Sequence, residues 1–296
     1  MSTADAAPVL RYDPSAHYEV ETFDVEYRRD ADQPWLARIY RPRGSGLFPT
    51  ILDVHGGQWM RGDRLNLAYA STSLAASGAV VAAIDFRHAP RWQYPLSLVD
   101  INYATRWLKA HAAEFGGDAR HVGGLGGSSG GHLVTLSAMR PRDPRYRALP
   151  LAEAPDVDAT LAYLITCYPI LDPHGRYLFA KETGRDDILT STETYFVPWE
   201  AVHEGSPREI LDRGEAVELP PLQIIQGTID KNVTPALQEA FAAAYRARGG
   251  TVEVEIFPDM PHQFVQSPGP GADAGHARMK DFIVRQLAAL QAAPAR

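Results

Sequence analysis

The chain has 296 residues, 45% of them hydrophobic and 22% charged, the composition of a globular protein with a sizeable core. A net charge of −7, with no run of like charges and no basic stripe, argues against a nucleic-acid partner or an anionic membrane surface. The opening MSTADAAPVLRYDPSAHYEV lacks a basic stretch followed by an apolar one, and the longest apolar run, Leu161 to Leu171, is too short to span a bilayer. A cytoplasmic location is the expectation. Cys167, the single cysteine, sits inside that run and reads as a small core residue.

In chain order, Phe23-Asp24-Val25-Glu26-Tyr27 and the segment from Trp35 to Tyr40 flank a turn around Asp30-Ala31-Asp32-Gln33-Pro34, which suggests an antiparallel hairpin. Strands then alternate with helices. The segments at 50–55, 79–87, 121–126, 159–170, 222–227 and 252–257 read as strands, most of them near-continuous apolar runs as expected for parallel strands covered on both faces. Helical spacing marks 95–115, 234–248 and 272–293. In the second of these Thr234 is the expected N-cap, with Pro235 at the first helical position and Gly249 just past the end. The pattern predicts one α/β domain over residues 1–296. About fifty residues separate the sixth strand from the seventh, too many for an ordinary connection. This insertion, 172–220, carries Tyr177, Phe179, Tyr195, Phe196 and Trp199, and could be a lid over a pocket or a surface subdomain with its own small core.

The stretch LGGSSGGH, Leu125 to His132, lies between a predicted strand and a helical run, the context of a G-x-S-x-G nucleophile elbow. The pattern fits in two registers. Centred on Ser128, Gly126 and Gly130 fall where neighbouring side chains would collide at a strained turn; centred on Ser129, the strand must run one residue longer. The first register is favoured. A serine hydroxyl needs a base, and the base an orienting acid. Asp230 follows the strand in QIIQGTID and His262 follows the last strand in FPDMPHQF, giving the chain order Ser, Asp, His. Asp172 also follows a strand, but in LDPH it suits a turn-capping role. The run HGGQW after the first parallel strand offers the amides of Gly56 and Gly57, with that of Ser129, as an oxyanion hole. Trp59, Phe179, Tyr195, Phe196 and Trp199 are the candidate pocket aromatics. Asp85 and Arg87 in IDFRHAP read as an ion pair bracing their loop, His132 as packing under the elbow, and His55 as orienting the oxyanion loop. No His/Cys/Asp/Glu set has metal-ligand spacing and no phosphate loop carries a lysine, so neither metal nor cofactor is expected.

With HGGQW, IDFRHAP, GGSSGGH, GTID and PHQF in this order from about residue 48 onward, the chain resembles the α/β-hydrolase fold serine esterases. Within these it is similar to the group of hormone-sensitive-lipase-like, feruloyl/acetyl-xylan and kynurenine-formamidase-like enzymes. That resemblance implies about eight mostly parallel strands flanked by helices, with the insertion after the sixth. It also implies cofactor-free hydrolysis of small carboxylic esters by Ser128, Asp230 and His262. Gly127 and Ser129 stand where such proteins usually carry an acidic residue and an alanine, and Gln58-Trp59 is nearer the formamidase-like HGGYW. An aryl formamide substrate therefore stays open, as does a non-catalytic ligand-binding protein on the same fold. The expected partner is a small-molecule ester, with a homodimer left open.

Overall fold

The computed structural model describes residues 10, 12–31 and 33–292. The opening segment to residue 9, Asp32 of the hairpin turn and Ala293 of the last predicted helix lie outside them. Strands β1 (Val20–Asp30) and β2 (Gln33–Pro42) form the antiparallel hairpin, and β2 continues antiparallel onto β4 (Val80–Ile84). From there the sheet is parallel: β3 (Phe48–Val54), β5 (Gly117–Gly127), β6 (Leu164–Cys167), β7 (Leu222–Gly227) and β8 (Val252–Phe257). Their order across the eight-stranded sheet is β1-β2-β4-β3-β5-β6-β7-β8.

Both faces of β3, β4, β6 and β7 are covered, which explains their continuous apolar runs, whereas β8 at the sheet edge, VEVEIF, is only partly buried. Alternate residues divide between two cores. Leu52, Val54, Val80, Ala82, Ile84, Leu222 and Ile224 face one core with helices α2 (Leu96–His111), α3 (Ser129–Met139) and α8 (Pro235–Ala247). Ile51, Val81, Ala83, Leu125 and Ile225 face the other, with α1 (Ala68–Ala76) and α9 (Pro270–Ala292). Because β3 lies between β4 and β5, the chain changes winding direction there, and the carboxyl ends of β3 and β5 open side by side. Open α/β sheets bind ligands at such a switch point.

Several elements depart from the sequence expectation. The strand expected at 159–170 is only Leu164–Cys167, because Tyr168 has φ 42° and Pro169 has no amide to donate. The strand expected at 79–87 stops at Ile84, where Asp85 and Arg87 turn into ion pairs with other partners. Asp85 pairs with Arg64 (2.8 Å) and Arg87 with Asp100 (2.7 Å), not with each other. Thr234 precedes α8 without a side-chain capping bond. Helix α1 has no counterpart in the sequence reading, since its small residues, AYASTSLAA, leave no apolar stripe. The glycine-rich β5 has a steric reason: a Cβ on Gly123 would lie 2.3 Å from the Tyr163 ring that packs over it.

The insertion consists of α4 (Pro173–Thr183), α5 (Asp186–Tyr195), α6 (Ala201–Glu204) and α7 (Pro207–Asp212). Among the described residues no helix is long and apolar enough to cross a membrane.

Candidate active site

Ser128 stands between β5 and α3 with φ 54° and ψ −120°. A non-glycine residue holds such angles only where its surroundings impose them, at a cost of about 1–3 kcal/mol. Here the surroundings are other backbones. A Cβ on Gly130 would come within 2.0 Å of the Val54 carbonyl oxygen, and one on Gly126 within 2.7 Å of Gly130 itself. The glycines thus let β3, β5 and the first turn of α3 meet. The positive end of α3 lies directly beneath the serine.

The structure brings Ser128, His262 and Asp230 together from the carboxyl ends of β5, β8 and β7. His262 Nε2 is 3.0 Å from Ser128 Oγ, and His262 Nδ1 is 2.7 Å from Asp230 Oδ2. A carboxylate only accepts, so Nδ1 carries the hydrogen and Nε2 is left to take the serine proton. The Asp230 side chain is sealed from solvent. Its Oδ1 accepts the amides of Asn232 (2.7 Å) and Val233 (3.0 Å), and its Oδ2 also accepts Gln226 Nε2 (3.1 Å). Burial pulls its pKa up, but His262 and the two amides outweigh it and hold the carboxyl below its ordinary value. Tyr168 packs its ring 4.6 Å from the imidazole. Asp172 lies elsewhere in role: it caps α4 by accepting the Gly175 amide at 2.7 Å.

The loop after β3 approaches the serine from the other side. A Cβ on Gly56 would meet Gly127 O at 2.7 Å and Ser128 Cβ at 3.2 Å, so the loop is pressed onto the elbow. Gly57, Gln58 and Trp59 all have positive φ (125°, 56° and 61°), an uncommon run that turns successive amides. His55 donates from Nδ1 to Gly56 O at 2.7 Å and stacks on Phe86, and burial pushes its pKa down to about 3, so it is neutral. Ser129 contributes more than the backbone amide expected of it: its Oγ accepts the Trp59 amide at 3.2 Å. Trp59 Nε1 donates to His132 Nδ1 (3.0 Å), whose Nε2 donates to Gly205 O (2.7 Å). These bonds link the oxyanion loop, α3 and the insertion in series.

The expected aromatic pocket is corrected by this packing. Trp59, Tyr195 and Phe196 are buried, with the Trp59 and Tyr195 rings stacked at 5.1 Å and 5°. They form the joint between the oxyanion loop and α5, not the wall of an open pocket. Trp199 packs on Tyr177 instead (4.5 Å), and half-buried Phe179 stays on α4. The open cleft beside Gly57, about 370 Å³, is lined by Gln58, Met60, Arg61, Asp187, Thr190 and Ser191 among others, and by none of the five aromatics. Sequence alone cannot tell a lining ring from a core ring.

One further cluster escaped the spacing argument. His174, His203 and Glu209, from α4, α6 and α7, place their donor atoms within 4.8 Å of one another. Such a set could take a divalent cation. Both Nδ1 atoms, however, already donate to the Glu209 carboxylate at 2.9 Å, and Arg213 lies 3.4 Å from it. The three side chains are satisfied as a hydrogen-bonded joint of the insertion.

Residues 51–266 match the alpha/beta hydrolase fold family, and the chain belongs to it. It is 30% identical to esterase LipC of Mycobacterium tuberculosis over 67% of this chain, and 26% identical to an ethyl acetate hydrolase of Pseudomonas putida over 81% of this chain and 70% of that one. It spans about half the length of two mycobacterial esterases it matches, 48% of LipC and 59% of LipQ. Among solved structures, esterase B of Lactobacillus rhamnosis superposes with a TM-score of 0.77 at 23% identity, covering 94% of this chain and 89% of that one, a likeness of fold.

Proposed function

We propose that this protein is a carboxylic ester hydrolase that forms an acyl-enzyme on Ser128. The observation that carries the reading is the linked pair of hydrogen bonds, Ser128 to His262 and His262 to Asp230. His262 Nε2 takes the Oγ proton as Oγ bonds to the ester carbonyl carbon. The carbonyl oxygen becomes an oxyanion, received by the amides of Gly56, Gly57 and Ser129, each donor worth about 3–4 kcal/mol in the transition state. Collapse breaks the bond to the alcohol oxygen, which leaves with the proton held on His262. Water repeats the sequence on the acyl-serine and returns the acid and free Ser128. Asp230 holds the imidazole tautomer throughout.

The substrate we infer is a compact ester. The buried Trp59–Tyr195–Phe196 joint fills the space behind the oxyanion loop, and one relative is named for ethyl acetate. A panel of nitrophenyl esters tests this. Turnover is expected to peak at acetyl to butyryl and to fall steeply by decanoyl, and to vanish in Ser128→Ala. An optimum at decanoyl or longer overturns the compact site. Preference for an N-formyl arylamide reassigns the substrate class, and no turnover of any member removes the catalytic reading.

A further inference from the structure

Arg176, on α4, is sealed from solvent and makes no ion pair among the described residues, although the carboxylates of Asp187 and Asp230 act on it from further off. Its Nε and Nη2 donate to Asn232 Oδ1 at 2.8 and 2.5 Å, its Nη1 has no partner among the described residues, and its Cζ lies 5.9 Å from the centre of the Trp59 ring. Burial pushes its pKa down to about 9. Removing a guanidinium from water costs several kcal/mol, and an apolar residue of similar volume would spare that cost. Packing alone gives no reason for a cation here.

The neighbours supply one. Asn232, gripped by the guanidinium, gives its own amide to Asp230 Oδ1. Trp59, under the guanidinium, gives its amide to Ser129 Oγ and stands two residues after Gly57 in the oxyanion loop. One side chain therefore touches the acid loop with its hydrogen bonds and the oxyanion loop with its face. Beside it, Arg185 Nη1 donates to Lys231 O at 3.1 Å, a second tie from the insertion to the acid loop.

We propose that Arg176 is a positioning residue of the reaction, a clamp that fixes the distance between the acid loop and the oxyanion loop across Ser128. It touches neither substrate nor reacting atoms. The insertion, through α4, is then a brace that completes the site, and α4 does not move aside to admit substrate. This rests on the reading of Ser128, His262 and Asp230 as the catalytic set.

The test compares Arg176→Met, Arg176→Lys, Asn232→Ala and the double variant Arg176→Met/Asn232→Ala. Active sites are first counted with a fluorophosphonate, and kcat and KM are then measured per titrated site. Misplacing a reacting group by an ångström can cost about 100-fold, so Arg176→Met is expected to lower kcat per site by roughly 30- to 100-fold with KM changed less than about threefold. Lysine, which keeps the charge and can donate to Asn232 Oδ1, is expected to recover a large part of the loss. Asn232→Ala should match Arg176→Met, and the double variant should be no worse than either, because both act through one contact. Wild-type kcat per titrated site in Arg176→Met, with only the titratable fraction reduced, makes the residue merely structural and overturns the proposal, as do additive losses in the double variant. Failure of the wild-type serine to react at all would instead strike the catalytic reading beneath it.

Discussion

Around Ser128 the chain packs backbone against backbone, whereas in the four helices between Pro173 and Asp212 it packs rings and buried charges. At the elbow, Gly126, Gly130 and Gly56 each leave less than 3 Å between a would-be side chain and a neighbouring main chain, so the geometry is imposed by steric exclusion. In the insertion, Tyr195, Phe196, Arg176 and the His174–His203–Glu209 joint hold position through side-chain contacts. The first kind of construction tolerates almost no substitution but leaves a short, readable signature. The second depends on which side chains meet across the sequence, and such pairings leave no short motif. The two regions meet in series through Trp59, His132 and Gly205.

The largest contrast we expect separates two aspartates that both follow parallel strands. Asp230→Asn should lower kcat by about 10⁴, since an amide cannot hold the imidazole tautomer that the carboxylate holds. Asp172→Asn, altering only the cap of α4, should leave kcat within about twofold and cost at most about 1 kcal/mol of stability. Comparable losses in kcat at both positions would break the division between site and insertion.

A smaller effect sharpens the join between the regions. Ser129→Ala keeps the oxyanion amide but removes the acceptor of the Trp59 amide, so a loss of about tenfold in kcat is expected, with KM little changed. Steady-state kinetics on a nitrophenyl ester will show it, and an unchanged kcat would mean the loop keeps its positive-φ run without Ser129.

The smallest effect concerns stability, on the sheet between the two regions. Asp53 in β3 is buried; among the described residues its Oδ1 has no partner and its Oδ2 accepts only Ser71 Oγ, at 2.7 Å. Burial, partly opposed by Ser71, pushes its pKa up to about 7 from an ordinary value of 3.8. The folded state thus holds a proton that the unfolded state gives up. That stabilising difference is complete below the unfolded pKa and is lost as pH rises through the folded one. Asp53→Asn should therefore raise Tm by a few degrees at pH 8 and leave it nearly unchanged near pH 4. Thermal melts at both pH values check this, and a lower Tm at pH 8 would contradict it.

The sheet and the company of Ser128, Asp230 and His262 are legible in the sequence because each residue stands just past a predicted strand, in the order of the fold, and Ser128 sits among glycines whose use is close approach. Parallel strands buried on both faces announce themselves, although the run around Cys167 overstates its strand by including Tyr168 and Pro169. Helix α1 is silent because alanine and serine pack closely without marking a face. Arg176 and Tyr168 are unreadable for a different reason: each acts through a residue distant in sequence, Asn232 at a separation of 56 residues and His262 further still, and meets it only after the sheet has assembled. The aromatics of the insertion were legible as a cluster but not as to which side of it faces solvent.

Mass-spectrometric mapping of the fluorophosphonate adduct tests the central claim, that one strained serine is the nucleophile of an assembled Ser-His-Asp set. The expected result is a single adduct on Ser128, lost in Ser128→Ala, kept in Ser129→Ala and formed far more slowly in Asp230→Asn. An adduct on Ser129, or none on the folded wild-type protein, would contradict it.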